Sequence, residues 1–312
     1  MSAQALALPG AGRERRVSTP RAVLAVAVLG SFMAFVDATV VNIAVPNIAQ
    51  HFSGSRLTSV SWVLNAYNIV FAAFLVGGGQ LADLLGRRRV FLLSLVLFTL
   101  SSVMCAVAPS LDFLIFARVA QAAGSAALVP SSLAIVLEAH GSRERMRAVA
   151  LWSAVAALAA GIGPPLGGLL ITASDWRLVF VVNVPIGIVA FVLARRVVVE
   201  SRAPGRRRVP DLLGGVVLAL AIGSLVLAVV KGQEWGWDGG RVIVAFALAL
   251  VLGVYFVLRS SRQRTPVLDL SLLRIRAFAL SNGVTLVMAS GFYAYTLCNV
   301  LFLTSVWRYS IL

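Results

Sequence analysis

The chain has 312 residues, 60% of them apolar and 12% charged, with a mean hydropathy of +0.93 and a net charge of +15. A soluble domain averages about 45–50% apolar and about 25% charged residues. A soluble enzyme therefore does not fit, nor does a disordered chain, which would be poor in apolar residues; what fits is an all-α polytopic membrane protein.

From the N-terminus, a tail over 1–21 carries Arg13, Arg15, Arg16 and Arg21 and leads into an apolar run at 22–48. The run exceeds the roughly 7–15 residues of a signal-peptide core, so it predicts an uncleaved first span. Further runs predict spans at 58–82, 90–108, 111–137, 148–172, 178–194, 212–230, 242–258 and 278–305, nine in all at about 20 residues each. They lack the alternation of barrel strands, and in hydrocarbon each backbone must satisfy its own polar groups, so helices follow. Of the 27 Lys and Arg residues, 21 fall in the tail and in loops 83–89, 138–147, 195–211 and 259–277, and only five in the opposite loops. Lys and Arg collect on the cytoplasmic side, which predicts a cytoplasmic N-terminus. Basic residues dispersed this way form no nucleic-acid-binding face. A single lysine, Lys231, among so many arginines points to a high-GC bacterial genome. The basic loop at 195–211, with Pro204, Gly205 and Pro210, is the natural boundary after six spans. Cys105 and Cys298 read as small hydrophobes, and His51 and His140 lie in separate predicted loops, so no metal site and no cofactor are predicted.

Three places are costly in a bilayer. Asp37 lies deep in the first span, where a charge costs at least about 2.5–3.5 kcal/mol and usually faces a water-filled cavity. A carboxyl held there is poised to bind and release a proton; Thr39 and Asn42 lie nearby. Arg118 is about 10 Å into the fourth span at 1.5 Å per residue, with Gln121 one turn on. It is either a charge partner for the acid or substrate, or a residue that snorkels to the surface. Small residues four apart, Ala120 with Gly124 and Ala123 with Ala127, permit close helix approach. The fifth span holds Gly161-Ile162-Gly163-Pro164-Pro165-Leu166-Gly167-Gly168, a GxxxG contact pair around two prolines that predict a kink. After span two, Asp83 in Gly79-Gln80-Leu81-Ala82-Asp83-Leu84-Leu85-Gly86-Arg87-Arg88-Arg89 reads as a helix-end acceptor in a Gly86 turn.

These segments resemble motifs of the major facilitator superfamily. GQLADLLGRRR at 79–89 is similar to its signature Gly-x-Leu-Ala-Asp-x-x-Gly-Arg-Arg, and ARVAQAAGSAA at 117–127 to its fourth-helix motif, with Ala122 where the family usually has glycine. GIGPPLGGLL at 161–170 resembles its fifth-helix antiporter motif. VDATVVNIAVPNI at 36–48 and SDWRLVFVVNVPIG at 174–187 resemble its 14-span drug:proton antiporter branch. The resemblance implies two six-helix halves around a midplane cavity, with two extra helices between them. It divides the chain into a cytoplasmic tail at 1–21, a six-helix half at 22–200, a linker with two added helices at 201–276, and the first helix of an incomplete second half at 277–312. It implies efflux of amphipathic, often cationic, small molecules driven by the proton gradient across a bacterial inner membrane. Asp37, Arg118, Asn42 and Gln121 would couple proton and substrate. Gly79, Asp83, Gly86, Arg87 and Arg88 would gate, and Gly163, Pro164, Gly167 and Gly168 would form the antiporter helix. About five further spans are implied, so the chain reads as C-terminally truncated. The alternatives are an inactive or partial fragment, or a non-drug metabolite exporter of the same superfamily. A membrane enzyme would need clustered loop chemistry, and a channel some filter signal.

Overall fold

The computed structural model describes residues 19–52, 57–202, 211–263, 266 and 268–305. Of the residues used above for topology, Arg13, Arg15, Arg16, Arg56, Pro204 to Pro210, Arg264 and Arg308 lie outside these. The described elements are helical: α1 Pro20–His51, α2 Leu57–Val60, α3 Trp62–Leu85, α4 Arg87–Ala106, α5 Leu111–Ala139, α6 Ser142–Ala173, α7 Leu178–Val181, α8 Asn183–Val197, α9 Leu212–Trp235, α10 Gly240–Arg262, a 3₁₀ turn Leu270–Arg274, and α11 Arg276–Ser305. Among the described residues, eight spans are long and apolar enough to cross a membrane: α1, α3, α4, α5, α6, the α7–α8 stretch, α9 and α10. The ninth predicted span is also a helix, α11, outside that set of eight; Asn282 and Thr285 bond back to its own backbone at 2.8 Å each.

The sixth predicted span is divided at Val182, between α7 and α8. Pro185 explains the break: it has no N–H to donate to the preceding turn, and a proline is accommodated in the first turn of a helix. The break puts Asn183 at the first position of α8. The two prolines of α6, by contrast, lie inside one continuous helix.

α1 is central. It packs on α5, α6 and α8, while α4 lies against α5 and α8, and α3 against α5 and α9. Helices in lipid gain little from the hydrophobic effect and associate through close packing, which small residues permit. Gly78 of α3 lies on the Ala126–Ala127 backbone of α5, and Gly124 of α5 lies on Phe98 of α4. Gly163 and Gly167 of α6 meet Thr39, Val40 and Ile43 of α1. The GxxxG pair thus has α1 as its partner.

The two largest apolar clusters among the described residues fill most of the bundle. One gathers Val40, Val41, Ala44, Ile48, Leu114, Trp176 and Phe180 towards the His51 end. The other gathers Val26, Met33, Phe91, Leu95, Phe98 and Leu128 towards the Arg87 end. Asp37 falls between Met33 and Val41, at the junction of the two. At the outer margin of the first cluster, the Arg177 guanidinium lies 4.5 Å from the Trp176 ring, and Arg177 also reaches His51 Nε2 at 3.1 Å and the Ala108 carbonyl at 3.4 Å.

The α9–α10 hairpin leans on α3. Asp211 caps α9 by accepting from the Gly214 N–H at 3.0 Å, and it accepts from Arg259 of α10 at 2.8 Å through each of its oxygens. The Arg259 hydrogen bond, with that of Gly214, holds the Asp211 carboxyl below the usual carboxylate range. At the other end Lys231 pairs with Glu234 and sits 4.8 Å over the Trp62 ring of α3.

Candidate functional site

Asp37 is fully buried, and its carboxylate is the centre of a polar network inside the bundle. α1 delivers it, α5 delivers Arg118 and Gln121 one turn apart on the same face, and the start of α8 delivers Asn183. Arg118 Nη1 donates to Asp37 Oδ2 at 2.6 Å. Gln121 Nε2 and Asn183 Nδ2 donate to Asp37 Oδ1 at 3.0 and 2.9 Å. Gln121 uses all its remaining capacity: Nε2 donates to Ser102 Oγ at 2.7 Å, and Oε1 accepts from Arg118 at 2.7 Å and from Cys105 Sγ at 3.7 Å. Arg118 also donates through Nε to the Val63 carbonyl at 3.2 Å, and its guanidinium lies 4.0 Å from the Tyr67 ring centroid. Tyr67 in turn bonds Ser125 through its hydroxyl at 2.8 Å.

Of the two orientations open to Arg118, the structure has the inward one. It is 1% exposed and turned inward to the acid rather than towards the surface. The reason is electrostatic: in low dielectric an unpaired carboxylate is far costlier than a paired, hydrogen-bonded one. The same pairing departs from the sequence expectation for Asp37, which faces packed side chains rather than a water-filled cavity. Asn42 does not join the network. Five residues on, it is about 140° around the helix from Asp37; it is exposed and donates to the Ala38 and Thr39 carbonyls of its own helix at 3.4 and 3.2 Å. Asn183, Tyr67 and Ser102 complete the site without having been picked out from sequence as site residues.

The second constellation lies at the α3–α4 turn. Gly86 has φ of 115°, which only glycine adopts without strain. A Cβ there would also stand 2.5 Å from Glu200 Oε1. Asp83, in the last turn of α3, is an acceptor at the helix end rather than the N-cap of α4. It holds Arg87, one turn ahead, at 3.1 Å, and Arg87 also reaches Glu138 at the end of α5 at 2.8 Å. The cap is Glu200, whose oxygens accept from the Arg88 and Arg89 N–H groups at 3.2 Å each. A carboxylate at a helix N-terminus satisfies free donors and opposes the positive end of the dipole. Arg88 spans to the Arg195 carbonyl at 3.0 Å, and Gly79 faces Pro130 of α5. Thus the turn ties α3 and α4 to the end of α5 and to the segment after α8. Glu200→Ala is expected to lower stability by about 0.5–2 kcal/mol, with Glu200→Gln losing less; thermal unfolding in detergent reads both.

The third constellation is the glycine face of α6. Gly163, Gly167 and Gly168 are buried, Pro164 is half-buried and Pro165 exposed. A Cβ at Gly163 would overlap Thr39 Oγ1 and stand 2.8 Å from Thr39 Cβ. Thr39 and Val40 are two and three residues past Asp37, so this helix presses on the stretch of α1 that carries the acid.

With this helical bundle and its buried acid–arginine pair in view, the sequence profile of the Major Facilitator Superfamily matches residues 27–311. The chain belongs to this superfamily. It is similar to the multidrug resistance protein Stp of Mycobacterium tuberculosis, with 38% identity over 283 residues covering 90% of this chain and 52% of that protein. It is similar to the methylenomycin A resistance protein of Bacillus subtilis, with 35% identity over 276 residues covering 88% of this chain and 59% of that protein. The chain thus spans about half the length of the curated relatives it matches. Its fold is shared with the crystal structure of the POT family transporter PepTSo, at a TM-score of 0.57 and 16% identity over 82% of this chain and 57% of that one.

Proposed function

We propose that this chain forms the proton-handling part of a secondary transporter that exports amphipathic, often cationic, compounds in exchange for protons. It would sit in a bacterial plasma membrane with its N-terminus in the cytoplasm. Residues 22–200 would be the first six-helix half, 201–276 a linker carrying the α9–α10 pair, and 277–312 the start of the second half. The relatives named for multidrug and methylenomycin resistance support the efflux reading.

The observation that carries the proton coupling is the position of Asp37, a lone carboxylate 0% exposed and 2.6 Å from Arg118. When ionised it is held by Arg118; when protonated it is neutral and releases that attraction. A substrate cation competes with the proton for the same negative charge, but no substrate atom reaches the closed carboxylate. The competition therefore runs through a movement that opens the α1–α5 contact. The packing of Gly163 and Gly167 on α1 just beyond Asp37 supports a role for α6 in such a movement. Arg87, with its partners Asp83 and Glu138, would hold the inner end of the bundle in one of the two states.

The test uses everted vesicles carrying the protein, a panel of amphipathic cations, and a dye that reports the pH gradient. Substrate is expected to dissipate the gradient with wild-type protein. The Asp37→Asn variant should insert equally well and dissipate none; full transport by that variant would sink the reading.

A further inference from the structure

Among the described residues three buried side-chain atoms have no hydrogen-bond partner: Thr99 Oγ1, Trp176 Nε1 and Asn183 Oδ1. The third belongs to the amide whose other end, Nδ2, donates to Asp37 Oδ1 at 2.9 Å. A side chain 1% exposed thus spends its donor on the carboxylate and leaves its acceptor vacant. No protein group pairs with this acceptor, and a buried acceptor left unpaired costs about 1–3 kcal/mol.

Two hydrogen-bonding arrangements fit the same packing. With Asp37 ionised, Nδ2 faces it and the carboxylate accepts. With the amide turned over, Oδ1 faces Asp37 Oδ1, and two oxygens at that distance are tolerated only if one of them carries a proton. A proton on Asp37 Oδ1 then donates to Asn183 Oδ1. Nothing else in the network has to move. The protonated oxygen still has a lone pair for Gln121 Nε2, and Oδ2, now the carbonyl oxygen, still accepts from Arg118. One amide atom lacks a partner in either state, Oδ1 in the first and Nδ2 in the second, so the change of protonation adds no new unsatisfied group.

We propose that Asn183 is a positioning residue for proton binding, an amide that donates to ionised Asp37 and turns over to accept from the protonated acid. The inference deepens the proton-coupled reading above and rests on Asp37 being the proton site. The other titratable or charged groups that face Asp37 are Arg118 from α5, Tyr67 from α3 and Cys105 from α4. α6 presents Gly163, and α7 presents Phe180, 5.7 Å from the Arg118 guanidinium. None of Arg118, Tyr67 or Cys105 is placed to accept the acid's proton, because Arg118 has donors only, the Tyr67 hydroxyl bonds Ser125, and Cys105 Sγ is directed at Gln121.

The test is an infrared pH titration of the full chain in lipid, following the carboxylic-acid C=O band that Asp37→Asn removes. It reads protonation whether or not the protein transports, so vesicles without proton-linked transport but with an intact infrared signature would overturn the proposed function alone. In wild type the Asp37 band should rise together with a change in an asparagine side-chain amide band, absent from Asn183→Leu. Asn183→Leu should also raise proton affinity about tenfold, an upward move of about one pH unit in the midpoint, equal to about 1.4 kcal/mol. The direction follows because a hydrogen bond to a charged group is worth more than one to a neutral group. Should Asn183→Leu not fold, Asn183→Ala carries the same expectations for amide band and midpoint direction. An unmoved midpoint, or an Asp37 titration with no accompanying amide change, overturns the proposal.

Discussion

Arg118→Met is expected to destabilise the protein by about 3–5 kcal/mol, the range for removing one partner of a buried ion pair and stranding the other. The size follows from the burial of both groups: Arg118 and Asp37 are 1% and 0% exposed, and no solvent is available to take over from the lost partner. The second-site variant separates this cause from lost packing. Asp37→Asn in the Arg118→Met background removes the stranded charge, and most of the loss should return. Thermal unfolding of the two variants in the same detergent checks it. Equal instability of single and double variants would mean that Arg118 acts through its packing on Tyr67 rather than through the charge.

The second large effect belongs to Gly163. Gly163→Leu drives a branched side chain into Thr39 and Val40, whose backbone N lies 3.2 Å from where even the first carbon would sit. Overpacking of a close contact costs about 1–3 kcal/mol or more, and here the atoms that must shift include backbone. Gly163→Ala is expected to cost less, and Thr39→Ala should recover part of it, because the Thr39 hydroxyl is the first atom the new methyl meets. Because these contacts lie on the turn after Asp37, Gly163→Leu is also expected to abolish the proton-linked efflux proposed above where Gly163→Ala only reduces it. The vesicle assay above reads both.

Much of this site is legible along the chain because each residue concerned is expensive in a bilayer. Asp37 and Arg118 announce themselves by charge, and Gln121 by its place one turn from Arg118. The glycine and proline run of α6 shows through composition, although its partner on α1 does not. What stays hidden is whatever depends on tertiary approach. Asn183 is one uncharged polar residue among valines, and nothing local links it to an acid 146 positions earlier. Pro185 was the available signal, since a proline is favoured in the first turn of a helix and so marks a helix start close to Asn183. Glu200 was hidden for the same reason: it caps a helix that begins 113 residues before it, while Asp83, four residues from Arg87, took the local ion pair instead. Asn42 erred the other way. Closeness in sequence placed it near Asp37, but five helical steps turn it to the exposed face. Span ends moved by a few residues, because charged side chains such as Arg87 and Arg259 belong to the helices whose ends they decorate.

The most direct measurement is proton release from purified protein in weakly buffered detergent solution when an amphipathic cation is added. Wild-type protein is predicted to release one proton per chain at pH values where Asp37 is protonated. The Asp37→Asn variant, which lacks the charge that proton and cation compete for, is predicted to bind the cation more weakly by calorimetry and to release none. Equal proton release from Asp37→Asn would contradict the assignment of Asp37 as the coupling carboxylate.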